Sequence, residues 1–234
     1  MNNITLAIPY YKNPKTLEYQ INIWNKYPKE VEIILVDDGS PIGFKAEDVI
    51  KNNQPTGNFK LYRILADMPW NMSQARNIGM YNATSKWAMW LDIDHVISLE
   101  TIKLMLEYNF NDNMVYSFNR INHFSRVSEN PHKETHLMSL QMFINLGGFD
   151  ESFAGHYAFS ERDFMLRLKS QYKIDRLPFN IERISTTNIL DCKTASGFIR
   201  NEGRDNNAYD EIQQWKLTNQ IGTERFKLPW KRII

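Results

Sequence analysis

Asp92 and Asp94 close an apolar run rich in Trp and Met, KWAMWLDIDHVIS, which extends from Lys86 to Ser98. Two carboxylates one residue apart at the end of a buried strand are costly unless a cation and a ligand share the space with them. In an extended chain residues i and i+2 point the same way, which puts Asp92 and Asp94 into one crevice and points His95 away from it. The matching chemistry is a divalent cation, Mg²⁺ or Mn²⁺, on hard oxygen ligands, with positions left open for water and phosphate oxygens. The competing reading makes Asp94 a cap for a helix that starts near Ser98.

The elements that must position this pair follow from periodicity. Ile4 to Ile8, Glu32 to Val36, Lys60 to Leu65 and Lys86 to Leu91 read as buried strands. Between the first two, Asn13 supplies an N-cap and Pro14 a first helical residue, with Leu17, Ile21 and Trp24 at helical spacing. Further helices fit Ala46 to Lys51 and Ser73 to Ala83. Strands alternating with helices predict an α/β fold with a doubly wound, mostly parallel sheet. After Asp94 the order changes to a helix over Leu99 to Tyr108 and a strand over Met114 to Phe118. The polar stretch Asn119 to Thr135 is long for a connection and predicts a functional loop or lid.

Ligands of such sheets bind beyond the carboxyl ends of the strands. Pro9, Tyr10, Tyr11 and Lys12 follow the first strand with no glycine, which argues against a dinucleotide fingerprint and a P-loop. Asp37, Asp38, Gly39 and Ser40 follow the second. A carboxylate there can accept a hydrogen bond from a pyrimidine N–H or a ribose hydroxyl, and it can equally close a local turn.

Composition bounds the answer. The 234 residues, 42% hydrophobic and 13% aromatic, suffice for one packed domain. Formal charge is +1, from 28 basic and 27 acidic residues, so nothing global marks a nucleic-acid binder. The sole cysteine, Cys192, excludes an intrachain disulfide and fits a reducing compartment. No stretch has the length of a membrane span, and MNNITLAIPYYK lacks the features of a signal peptide, so the expectation is a cytoplasmic protein. RFKLPWKRII at the C-terminus mixes aromatic and basic residues. Such a tail suits peripheral contact with an anionic membrane or a polyanion, and it equally suits packing on the domain.

Four segments in order, LAIPYYKNP, IILVDDGSP, NMSQARNIGMYNATSKWAMWLDIDHVIS and LGGFDESFAGHYAFSERDFMLRLK, resemble glycosyltransferases of family 2 with the GT-A fold. The resemblance runs from residue 4 to about residue 168. It implies a Rossmann-like domain with an acceptor-side extension and a C-terminal helical tail. Residues 1–97 would bind a nucleotide-sugar, 98–190 would face the acceptor, and 191–234 would form the tail. It implies that Asp37 contacts the base, with Pro9, Tyr11, Asp38, Arg76 and Asn77 in the same pocket. Asp94 would hold the cation, with Asp92 toward the ribose or sugar. Gly147 and Gly148 would turn below the donor sugar, and Asp150 would touch a hydroxyl. The family's catalytic carboxylate aligns with Glu161, a departure from the usual aspartate, with Asp163 as the runner-up base.

The implied activity is metal-dependent, inverting transfer from a nucleotide-sugar, most simply a UDP-sugar. The accepting hydroxyl would belong to a glycan, lipid-linked saccharide, protein or modified nucleic-acid base. The rival reading is a non-catalytic nucleotide-sugar or glycan-binding module. His123, His132 and His136 crowd the polar stretch and raise a zinc site as a further option, opposed by the missing cysteines and by Pro131. His156 lies five residues before Glu161 and could ligate the cation, touch a hydroxyl or pack inertly. Arg200, Arg204, Asn207 and Lys216 could fold back onto a diphosphate or form the exposed face of a C-terminal helix.

Overall fold

The computed structural model describes residues 2–132, 135–186, 192–199 and 202–234, with backbone alone for Lys193 and 202–206. The first half alternates β1 (Ile4–Tyr10), α1 (Pro14–Trp24), β2 (Val31–Asp37), α2 (Ala46–Asn52), β3 (Asn58–Ile64), α3 (Met72–Tyr81) and β4 (Trp87–Trp90). β5 (His95–Val96), α4 (Leu99–Glu107), β6 (Met114–Asn122), β7 (Ser128–Glu129), β8 (His136–Ser139), α5 (Leu140–Asn145) and α6 (Phe159–Gln171) follow. β9 (Lys173–Arg183), α7 (Cys192–Ser196), α8 (Glu202–Asn219) and β10 (Trp230–Arg232) complete the chain. One sheet runs β10-β3-β2-β1-β4-β8-β6-β9-β5, with β7 beside β6.

β3, β2, β1 and β4 pair in parallel, as do β6 and β9, and the other pairs are antiparallel. β2 is buried along its whole length, as expected where helices cover both faces of parallel strands. Asn13 holds the expected N-cap position, with Leu17 N donating to its carbonyl at 3.1 Å, while its carboxamide accepts from the Thr16 hydroxyl at 2.7 Å and makes no cap bond to the helix backbone. Ser98 does cap its helix, accepting from Thr101 N at 3.1 Å.

Helix α3 is buried from Ser73 to Met80 because it sits hard against β1. Gly79 permits this approach, since a Cβ there would lie 2.7 Å from Ala7 Cβ. That contact brings Arg76, one helical turn earlier, to the carboxyl ends of the strands.

Two expectations change. Half of the stretch read as a lid is a hairpin: β6 runs on to Asn122 and pairs with β7, with Arg120 opposite Glu129. Its polarity reflects cross-strand ion pairing at the sheet margin. The tail is helical only in part, because β10 adds an antiparallel strand to β3. The β10 backbone thereby covers the β3 edge, while Trp230 packs edge-on against Tyr62 at 5.6 Å and Phe226 against Tyr81 of α3 at 5.5 Å, so the tail's aromatic residues pack on the domain. Among the described residues no helix is long and apolar enough to cross a membrane.

Candidate active site

A cavity of about 420 Å³ opens at the carboxyl ends of β1, β2 and β4. β1 contributes Pro9, Tyr10 and the following Tyr11, and β2 is followed by Asp38, all lining this space. The two aspartates after β2 part company. Asp37 turns away from the cavity and accepts from Ser40 N at 2.8 Å, Ala46 N at 2.9 Å and Arg63 Nη1 at 2.9 Å. It therefore holds the β2–α2 turn and is not part of the cavity lining, where the resemblance gave it a base contact. Gly39 makes that turn possible, with φ +71 and room for no Cβ, which would come within 2.2 Å of Ala66 O. Asp38 faces the cavity and accepts from Asn71 Nδ2 at 3.0 Å. Burial pushes its carboxyl up to about 8, against the lowering effect of Asn71.

β4 ends at Trp90, and Asp92 and Asp94 leave it in a turn closed by His95 N donating to Asp92 O at 2.9 Å. The turn, and not strand alternation, brings both carboxylates to the cavity. It also overturns the expected direction of His95, whose Nδ1 lies 2.7 Å from Asp94 Oδ1. Asp94 Oδ2 accepts from Cys192 N at 3.1 Å. Ligand atoms of Asp92, Asp94 and His95 lie within 4.8 Å of one another. The set fits a divalent cation: two hard carboxylates, an imidazole, and a buried His95 Nε2 with no hydrogen-bond partner among the described residues. Burial disfavours the charge on Asp92, yet the Arg76 guanidinium and the rings of His132 and His95 hold its carboxyl below the usual range. His132 Nε2 stands 3.5 Å from Asp92 Oδ2. Burial lowers the His132 imidazole to about 4, so it is neutral near pH 7.

Arg76 is buried and joins the two acidic groups of the site. Its Nη2 donates to Asp92 Oδ1 at 2.8 Å and its Nη1 to Glu161 Oε1 at 2.7 Å. The resemblance put it in the nucleoside pocket, and it lines the cavity between Asp92 and Glu161. Glu161 lines the cavity from the first turn of α6, with Ser160 Oγ 3.1 Å from Oε2. Asp163 does not line it, and accepts instead from Arg167 Nε at 2.9 Å, Arg167 Nη2 at 2.6 Å and Gln213 Nε2 at 3.3 Å. Of the two candidate bases, only Glu161 lines the cavity.

Asn77, Gly148 and Asp150 form a supporting layer outside the lining. Asn77 Nδ2 donates to Phe149 O at 2.8 Å and to Glu151 Oε1 at 2.7 Å, and Asn77 Oδ1 accepts from Phe149 N at 2.8 Å. Gly147 and Gly148 turn at φ +79 and +69. Asp150 caps a single 3-10 turn at Glu151–Phe153 and pairs with Lys216. Lys216 is thus committed to Asp150, Asn207 is exposed, and Arg200 and the Arg204 side chain lie outside the described residues. The histidine cluster is not formed. His123 sits between Tyr19 at 2.6 Å and Glu182 at 2.7 Å, His136 is buried near Trp90, and only His132 reaches the cavity. His156 is not part of the lining.

Several lining residues carried no recognisable signal in the sequence: Trp70, Tyr157, Phe198, Arg120 and Arg183. Phe198 stacks on Tyr11 at 5.0 Å and meets Trp70 at 5.4 Å, and Trp70 meets Tyr157 at 4.8 Å. These aromatic residues come from separate loops, and no local spacing links them.

The family model for glycosyl transferase family 2 matches residues 5–177. The chain belongs to this family. No curated protein matches it by sequence. Among solved structures, S. aureus TarS 1-349 in complex with UDP-GlcNAc aligns with TM-score 0.66 at 14% identity, covering 95% of this chain and 67% of that one. The mannosyltransferase PcManGT from Pyrobaculum calidifontis, with GDP-Man and Mn²⁺, aligns at 0.58 and 15%, covering 79% and 56%. GalNAc-T7 with UDP, GalNAc and Mn²⁺ aligns at 0.60 and 14%, covering 79% and 44%. This family 2 chain shares their fold and spans between 44% and 67% of their lengths.

Proposed function

We propose that the chain transfers a sugar from a nucleotide-sugar, most simply a UDP-sugar, to an acceptor hydroxyl, with inversion and with the help of a divalent cation. The observation that carries this reading is the convergence of Asp38, Asp92, Asp94 and Glu161 on one cavity from three parts of the fold. Family membership and the nucleotide-bound neighbours support it. Asp38 would receive a base N–H beside Pro9 and Tyr11. Asp92, Asp94 and His95 would hold the cation, whose charge offsets that on a departing nucleoside diphosphate. Glu161 would take the proton as the acceptor oxygen bonds to the anomeric carbon and the bond to the diphosphate breaks. Arg76 positions Glu161 and keeps Asp92 ionised.

The test is turnover of a UDP-sugar panel, read as released UDP with water or added sugars as acceptors. Glu161→Gln should keep UDP affinity and lose turnover by roughly 10²–10⁴-fold. Asp163→Asn should keep turnover, since its partners are structural. Turnover lost in Asp163→Asn and retained in Glu161→Gln would overturn the choice of base. UDP binding that ignores both chelator and Asp94→Asn would overturn the cation site.

A further inference from the structure

Helix α1 buries a polar side chain in the face that carries Leu17, Ile21 and Trp24. Gln20 is 0% exposed, at a position where the stripe calls for an apolar residue. Its Nε2 donates to Ile93 O at 2.7 Å and to His95 O at 2.6 Å, so both amide hydrogens go to the carbonyls on either side of Asp94. Its Oε1 has no hydrogen-bond partner among the described residues. An unmet buried acceptor is a cost, and here it belongs to a side chain whose donor half is fully used. The amide cannot turn over to relieve that cost, because its oxygen would then face the two carbonyls.

The rest of the turn is tied down in the same way. Asp92 O accepts from His95 N at 2.9 Å and Asp94 O from Ile184 N at 2.7 Å. Every carbonyl from Asp92 to His95 therefore has a donor, and Gln20 supplies two of the four. Deprived of those two bonds, the buried carbonyls of Ile93 and His95 would draw the turn toward other donors, and the Asp92 and Asp94 carboxylates would move with it. A divalent ion tolerates little such movement, since it holds oxygen ligands within a narrow range of distances.

Resting on the reading of Asp92, Asp94 and His95 as cation ligands, we propose that Gln20 is a positioning residue for that site. It locks the β4–β5 turn in the form that presents both carboxylates before an ion arrives. The ligands share one short segment, yet the side chain that fixes their backbone lies 73 and 75 residues from the carbonyls it holds. Partners that orient metal ligands without touching the metal are worth roughly 10–100-fold in affinity.

The experiment titrates the full chain, stripped of metal by chelator, with Mn²⁺ and reads bound ion as loss of the free-ion electron paramagnetic resonance signal. Gln20→Met keeps most of the volume, removes the donor and should weaken Mn²⁺ binding by roughly 10–100-fold. Ile21→Val trims the neighbouring core residue of α1, so it should lower the melting temperature and leave Mn²⁺ affinity unchanged. Hydrogen exchange on the metal-free wild type keeps the proposal exposed even if Gln20→Met does not fold. The His95 and Ile184 amides should exchange at least about tenfold more slowly than that of the exposed Ile42. Unchanged Mn²⁺ affinity in Gln20→Met, an equal loss in Ile21→Val, or fast exchange at His95 and Ile184 would overturn the role of Gln20. A wild type that takes up no Mn²⁺, or Asp94→Asn that binds it equally well, would instead overturn the cation site itself.

Discussion

Arg76→Gln removes the side chain that, among the described residues, pairs with both Asp92 and Glu161. Side-chain exposure is 2% for Arg76 and 4% for Glu161, against 23% for Asp92, so the two lost pairings differ in weight. Stranding a buried charge costs about 3–5 kcal/mol, and this range applies to Glu161. The partly solvated Asp92 pairing adds about 1 kcal/mol or less. Glutamine restores one neutral donor, so a net loss of about 3–4 kcal/mol is expected. At roughly 2–4 °C per kcal/mol for a chain of this size, the melting temperature should fall by about 6–16 °C at pH 7. Urea melts at pH 7 and pH 4.5 separate charge from packing, because protonation of stranded carboxylates at the lower pH should shrink the deficit. Mn²⁺ gives a second readout. With Arg76 gone, Asp92 offers its full charge to a cation, so Mn²⁺ should raise the melting temperature of the variant more than that of the wild type. A fall of under 3 °C together with an unchanged Mn²⁺ effect would refute the view that Arg76 neutralises a cation-binding carboxylate.

Asp38 should make stability depend on pH. Burial pushes its carboxyl up to about 8 in the folded chain, against an ordinary value of about 4 when unfolded, so the contribution of Asp38 to stability is fully present below about pH 4 and declines as pH rises toward 8. Asp38→Asn lacks that decline and should gain on the wild type between pH 5 and pH 8.5, by up to about 1.4 kcal/mol per unit of the shift, and a pH-independent difference in urea melts would contradict it. Asp37→Ala should destabilise the fold by about 3 kcal/mol, since it leaves two backbone N–H groups unpaired and Arg63 with only the Ser40 carbonyl among its described acceptors, and an unchanged urea midpoint would show that these bonds hold nothing. Gly79→Val should loosen α3 from β1 and weaken UDP binding along with stability, checked by thermal melts and calorimetry, because its side chain has no room beside Ala7.

The alternation of buried strands and helical spacings determined the α/β class. β1, β2, β3 and β4 lie within a few residues of the runs that predict them, because a strand buried on both faces must be apolar along its length. The sequence likewise marked Asp92, Asp94 and Glu161 as residues of one site, through motifs whose order survives divergence. The resemblance gave Asp37 the base contact, although local spacing could not distinguish it from Asp38, a neighbour of identical chemistry. One is bound by Ser40 N, Ala46 N and Arg63 from the neighbouring strand, the other faces the cavity, and the turn at Gly39 and the packing of β3 decide which. Nor could it direct His95, since strand alternation fails where β4 gives way to a turn. The same holds for Arg76, whose partners Asp92 and Glu161 lie 16 and 85 residues away, and for Arg120 and Arg183, joined at Glu129 by strand register. Local spacing encodes the elements and their faces, because backbone geometry repeats along the chain. Which charges meet across the cavity depends on how α3 seats on β1 and how β6 and β9 align, and that is set by packing between segments far apart in sequence.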